Sequence, residues 1–124
     1  MKRFWLMILT IIGITTFSNY NDGKYEAAYK KDGYILTMRV IIKNSRILSV
    51  DFDKIDQKGV KLSTKDSKFR EKKDVVKKYI VENQSFENLP DIYDENSNKE
   101  FQALIEYLTE KCKSSKPGYF EIKN

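Results

Sequence analysis

The sequence predicts an α+β domain, an antiparallel sheet of three to four strands with two helices packed on one face. Three observations carry that reading. Residues 23–53 contain strand-like runs in which apolar and polar side chains alternate, separated by short polar turns. Past Gly59 the apolar period changes from two residues to about 3.6. Near the end, Phe101, Leu104, Ile105, Leu108 and Cys112 form a helical stripe able to cover a sheet face.

The first run, 23–30, alternates Tyr25, Ala27 and Tyr29 with Lys24, Glu26 and Lys30, the pattern of a strand with one wet face. A turn at Lys31-Asp32-Gly33 leads to a second run with Tyr34, Leu36, Met38, Val40 and Ile42 on one face. Its other face also holds Ile35 and Ile41, which makes it a central strand. Asn44-Ser45 is a two-residue connection suited to a tight hairpin, so the third run should lie antiparallel to the second. That third run sets Leu48, Val50 and Phe52 against Ser49, Asp51 and Asp53. A first helix is expected over 67–83, with Phe69, Val76, Tyr79 and Ile80 on one face and the lysines of the Lys72 to Lys78 run mostly elsewhere, as a solvated surface. Pro90 and the polar stretch 91–98 form a loop, and Ser97 with Glu100 has the spacing of a capping box that starts the second helix. Pro117-Gly118 stops it, and residues 119–122 suit a short edge strand.

Residues 1–18 read as an export signal rather than as part of the fold. Lys2 and Arg3 precede a mostly apolar stretch from Phe4 to Phe17, and Thr16 and Ser18 place small residues for cleavage before Asn19. The apolar stretch, interrupted by Gly13 and threonines, is shorter than the roughly 20 residues that a bilayer core requires, so no stable membrane span is expected once it is removed. The expectation is a single domain over 19–124 located outside the cytoplasm, periplasmic or secreted.

Without Lys2 and Arg3 the chain has 21 basic and 18 acidic residues, a net charge of +3, interspersed along the sequence. That balance argues against a nucleic-acid partner. There is no His, and Cys112 is the lone cysteine. It can form no internal disulfide, has no imidazole to activate it and lies on the apolar stripe, which makes it a core residue. No catalytic residues are assigned. Asp94, Asn96 and Asn98 imitate the opening of a calcium loop, but Lys99 stands where that loop needs Gly and Ile105 where it needs a bidentate carboxylate, so no metal site is expected. Asp51, Asp53 and Asp56 sit among lysines with no sign of the dry environment that separates the pKa values of a catalytic pair. Tyr93 is the aromatic residue least explained by packing, since its loop supplies little to bury it against.

Asp22-Gly23-Lys24-Tyr25, the Val40 to Val50 hairpin and the Asp56 to Lys61 turn together resemble the small extracytoplasmic FMN-binding domain family, common among lipoproteins and secreted modules of anaerobic and Gram-positive bacteria. The resemblance runs over roughly 22–112 and implies a flavin site before the last helix, where that family carries a Ser/Thr-Gly-Ala-Thr segment whose final Thr holds FMN or whose surroundings bind its phosphate. The matching window, Leu89 to Phe101, contains neither Gly nor Thr. The implied positions for FMN are therefore Tyr93 and Ser97, with any flavin held non-covalently. Three functions follow from the resemblance: a non-catalytic module binding a ligand or partner, a small electron carrier with non-covalent FMN serving a redox partner protein, or an interaction domain at the cell surface.

Overall fold

The computed structural model describes residues 20–122. Strands β1 (Gly23–Lys31), β2 (Tyr34–Lys43) and β3 (Arg46–Asp56) are followed by the short helix α1 (Leu62–Lys65), the longer helices α2 (Ser67–Asn83) and α3 (Glu95–Ser114), and strand β4 (Gly118–Ile122). The sheet order is β3-β2-β1-β4. β1, β2 and β3 pair antiparallel as their turns require, but β4 runs parallel to β1, opposing Ala27 with Phe120. The sheet is therefore mixed, which corrects the antiparallel expectation. The cause is topological: β4 arrives from α3, which crosses the sheet, and not from a hairpin.

One face of the sheet is dry. Tyr25, Leu36, Met38, Val40, Val50 and Phe52 meet Phe69, Val76 and Ile80 of α2 and all five stripe residues of α3 in a single core. Phe52, Phe69 and Phe101 interlock at its centre, with Phe69 stacked on Phe101 and Phe52 edge-on to both.

The third strand departs from simple alternation. The pairing runs Ile41 to Ser49 and then Ile42 to Ile47, which leaves Leu48 as an extra residue in a β-bulge. Ile47 is thereby turned into the core at 2% exposure and Leu48 outward at 57%. The expectation that Leu48 faces the core is corrected by this one-residue offset. Gln84, at the αL C-cap of α2, holds the bulge by accepting from Ile47 N (2.8 Å) and donating to Ile47 O (2.9 Å).

α2 begins where the sequence places it, capped by Asp66, whose carboxylate accepts from the amides of Lys68 and Phe69. α3 starts earlier than expected. Asp94 is its N-cap, accepting from Ser97 N at 2.7 Å, so Ser97 is the third helical residue and not the cap. The loop ahead is ordered by Asn98, whose side-chain oxygen accepts from the amides of Ile92 and Tyr93. The proposed leader, residues 1–18, lies outside the described residues.

Candidate functional site

The residues that carry the family resemblance prove to be fasteners. Asp22 accepts from Asn44 N and Ser45 N, closing the β2–β3 turn, in which both residues have positive φ. Gly23 admits Pro117: a Cβ there would stand 2.1 Å from Pro117 Cγ, and its φ of +141° also favours glycine. Tyr25 is fully buried and its hydroxyl donates to Asn21 O at 3.0 Å, tying the start of β1 to the chain before it. In the Asp56 to Lys61 turn, Asp56 accepts from Lys58 N, Val60 N and, from the helix beyond, Lys65 Nζ. The Lys65 bond and the two amides hold that carboxyl down at about 2.

A second polar cluster belongs to the fold as well. Asp53, 4% exposed, accepts from Lys54 N, from the amide and hydroxyl of Ser63 and from Lys73 Nζ, while Lys73 also reaches Asp51 at 3.0 Å. Burial pushes the carboxyls of Asp51 and Asp53 up, but the bonds from Lys73 and, for Asp53, from Ser63 outweigh it and hold both low. Two carboxylates shifted in the same direction do not divide acid and base roles. Lys73 is 8% exposed and faces β3, which corrects the reading of the lysine run as a wholly solvated surface. The cluster fastens α1 and α2 to the edge of the sheet.

The chemistry left over collects at one end of the core face, where β1 ends, β2 begins and α3 starts. Tyr34 opens β2 on the helix-facing side, Lys54 lies beyond Phe52 on the same face of β3, and Glu100 occupies the second turn of α3. The side chain of Glu100 is only 10% exposed. Its Oε2 accepts a short hydrogen bond from the Tyr34 hydroxyl, with Lys31 Nζ 3.8 Å away. Its Oε1 is buried and has no hydrogen-bond partner, with Lys54 Nζ 4.0 Å distant. Lys54 lies over the Tyr34 ring at 4.5 Å from its centroid and donates to Ser97 Oγ at 3.3 Å. The bond to Glu100, followed by burial, pushes the Tyr34 phenol up to about 12, so it is a donor and not a base at neutral pH. A hollow of about 220 Å³ adjoins the cluster, lined by Gly33, Tyr34, Lys54, Asp56, Leu62 and Lys65.

Of the two positions implied for a flavin, Ser97 lies in this cluster, buried and bonded to Lys54. Tyr93 does not: its ring meets Phe69 edge-on and its hydroxyl donates to Asp66, the cap of α2. The idea that Tyr93 lacks packing partners is thus corrected, because α2 supplies them. Lys31, Tyr34, Lys54 and Glu100 were missed as a group. Tyr34 and Glu100 lie 66 residues apart, and no local pattern connects them.

The Cys112 thiol is fully buried and burial pushes it up to about 12. Among the described residues no group of three His, Cys, Asp or Glu side chains is placed to hold a metal ion, and no helix is long and apolar enough to cross a membrane.

The fold has a counterpart among solved structures. The chain is similar to the crystal structure of the CPE2226 protein from Clostridium perfringens, with a TM-score of 0.66 at 16% identity over 84% of this chain and 99% of that one. At that identity the likeness speaks for the fold alone. No family model matches the chain, and no curated protein does.

Proposed function

We propose that the chain is an exported binding module of the FMN-binding-domain type, which holds a ligand or partner group at the Tyr34–Glu100 end of its sheet and performs no redox or hydrolytic chemistry of its own. The observation that carries this is Oε1 of Glu100, buried with no hydrogen-bond donor and only Lys54 Nζ at 4.0 Å. A buried carboxylate oxygen without a donor loses about 1–3 kcal/mol or more relative to a satisfied one, and such groups persist in folded proteins where a bound donor completes them. The flanking ammonium groups of Lys31 and Lys54 supply donors beside that acceptor, so the complementary ligand carries an N–H or O–H next to an oxygen acceptor.

FMN fits this end poorly as a covalent or phosphate-anchored group. Ser97 Oγ already accepts from Lys54, its amide is bonded to Asp94, and the carboxylates of Asp94 and Glu95 stand where a phosphate would lie at the helix start. The adjoining hollow, about 220 Å³, is smaller than the roughly 300–1,000 Å³ typical of ligand pockets. A non-covalent flavin is the second reading, and one observation favours it. An imide edge, N–H between two carbonyls, matches Glu100 Oε1 beside Lys54.

Resonance assignment of residues 19–124 followed by titration with FMN, riboflavin and small imide, amide and polyol probes tests both readings. Shifts confined to Lys31, Tyr34, Lys54 and Glu100, abolished in Glu100→Gln, are expected for at least one probe. A protein that shows no response there to any of them is not a binding module of this kind. Saturable response to both flavins favours the electron carrier, and an added FMN mass on Ser97 overturns the non-covalent assignment.

A further inference from the structure

We propose that the tip of the β2–β3 hairpin, remote in sequence from Glu100, docks on the surface of an anionic lipid bilayer. The tip is built to be rigid. Asn44 and Ser45 both take left-handed conformations, with φ of 55° and 62°, and their amides are held by the Asp22 carboxylate at 2.9 and 2.8 Å. On the far side of Arg46, the Gln84 amide grips both backbone groups of Ile47 and donates to Val81 O at 2.7 Å.

What this framework displays is unusual for a solvated hairpin. The bulge turns Leu48 outward at 57% exposure, although a strand without the bulge would bury it. Lys43 and Arg46 stand exposed on either side of the turn, and neither enters an ion pair among the described residues. Lys43, Arg46 and Leu48 share the wall of one hollow of about 360 Å³, floored by Ile47 and Val81. Asp22, the carboxylate at this tip, accepts from the two turn amides and lies within electrostatic reach of Lys43, so the tip keeps two cations against one anion.

Two exposed cations around one outward leucine, in excess of the single nearby carboxylate, complement a surface whose phosphates lie above an acyl layer: the cations meet headgroup charge and Leu48 enters the apolar boundary. An acidic peptide is the other occupant such charges could attract. It would gain little from the backbone here, because the turn amides are bonded to Asp22 and those of Ile47 to Gln84, so pairing along an edge is blocked. The bilayer needs no backbone partner.

Co-sedimentation of residues 19–124 with vesicles of mixed phosphatidylglycerol and phosphatidylcholine, and with phosphatidylcholine alone, tests the proposal. The core is complete without the leader, so this form is expected to fold. Binding is expected on the anionic vesicles only, and to fall with added salt. Lys43→Glu with Arg46→Glu should weaken it by about tenfold or more, and Leu48→Ser by about tenfold, with unchanged melting temperatures because all three side chains are exposed. A Leu48→Trp variant should show blue-shifted emission on the anionic vesicles. Absence of vesicle binding, equal binding to neutral vesicles, or full binding by the charge-reversed variant would overturn the proposal. Binding of polyglutamate in place of vesicles would assign the tip to an acidic polymer and also overturn it.

Discussion

Lys73→Met isolates the buried ion cluster that fastens α2 to the sheet. Its ammonium lies 3.0 Å from Asp51 Oδ1 and 3.1 Å from Asp53 Oδ2. Removing one partner of a buried pair costs about 3–5 kcal/mol, because the other charge is left uncompensated. Here the loss should be smaller, about 2–3 kcal/mol, for three reasons. Asp53 keeps the bonds from Ser63 and Lys54, Asp51 keeps Lys77 at 3.6 Å and partial exposure, and Met fills the space of the lysine stem. With a urea slope of about 1–2 kcal/mol/M, the midpoint should fall by about 1–3 M. The dependence on pH carries a sign. Both carboxyls are lowered on folding, so their contribution is complete above the unfolded value near 4 and disappears as pH falls through the folded values. Burial pushes the Lys73 ammonium down, but its bonds to Asp51 and Asp53 outweigh this and raise it, so its contribution is complete below about 10 and is lost as pH rises through the folded value. The gap between the native chain and Lys73→Met should therefore be widest between about pH 4 and 10 and narrow below it. Urea melts of both proteins at neutral pH and near pH 3 decide the matter. A loss under about 0.5 kcal/mol, the usual surface range, or a gap that does not change with pH would refute the argument.

Three further outcomes are expected. Leu104→Ala and Leu108→Ala, both fully buried, should each cost about 2–5 kcal/mol in denaturant melts, against little for exposed Glu110→Ala, and equal small losses would mean that α3 does not dock as described. Gly23→Ala should cost about 2 kcal/mol or more and lower the thermal midpoint, since the new Cβ meets Pro117 and the backbone there suits glycine. Cys112 should react with a thiol reagent only through unfolding, so its labelling rate should rise about tenfold for each 1.4 kcal/mol by which Leu104→Ala destabilises the fold, whereas rapid labelling of the native protein would contradict its burial.

Much of the architecture is legible locally. The stripe of α3 is buried without exception, and α2 spans the residues that its period indicates, because a helix facing a sheet must repeat its apolar contacts every three to four residues. The bulge in β3 escapes such reasoning. Ile47 and Leu48 are both apolar, so alternation cannot decide which one turns inward, and the choice is made by Gln84 from another element. Lys73 follows Phe69 by four residues and precedes Val76 by three, on the buried side, yet its charge argues for solvent until Asp51 and Asp53 are brought to it. The direction of β4 leaves no trace in a period of two. At the helix start, Asp94 and Ser97 both suit a cap, and Glu100, which would complete the box with Ser97, is drawn instead to Tyr34 across the core. The candidate site was accordingly the least legible part, since Lys31, Tyr34, Lys54 and Glu100 come from four different elements.

The parallel union of β4 with β1 sets the order in which the protein can become itself. β1 has β2 on one side from early in synthesis, but its other side stays open until residues 118–122 arrive. A nascent chain released or stalled before Pro117 would present Tyr25 to Tyr29 as a bare rim, the kind of unpaired strand edge on which chains adhere to one another. A late frameshift or nonsense codon would therefore leave a sticky fragment in place of a slightly shortened protein.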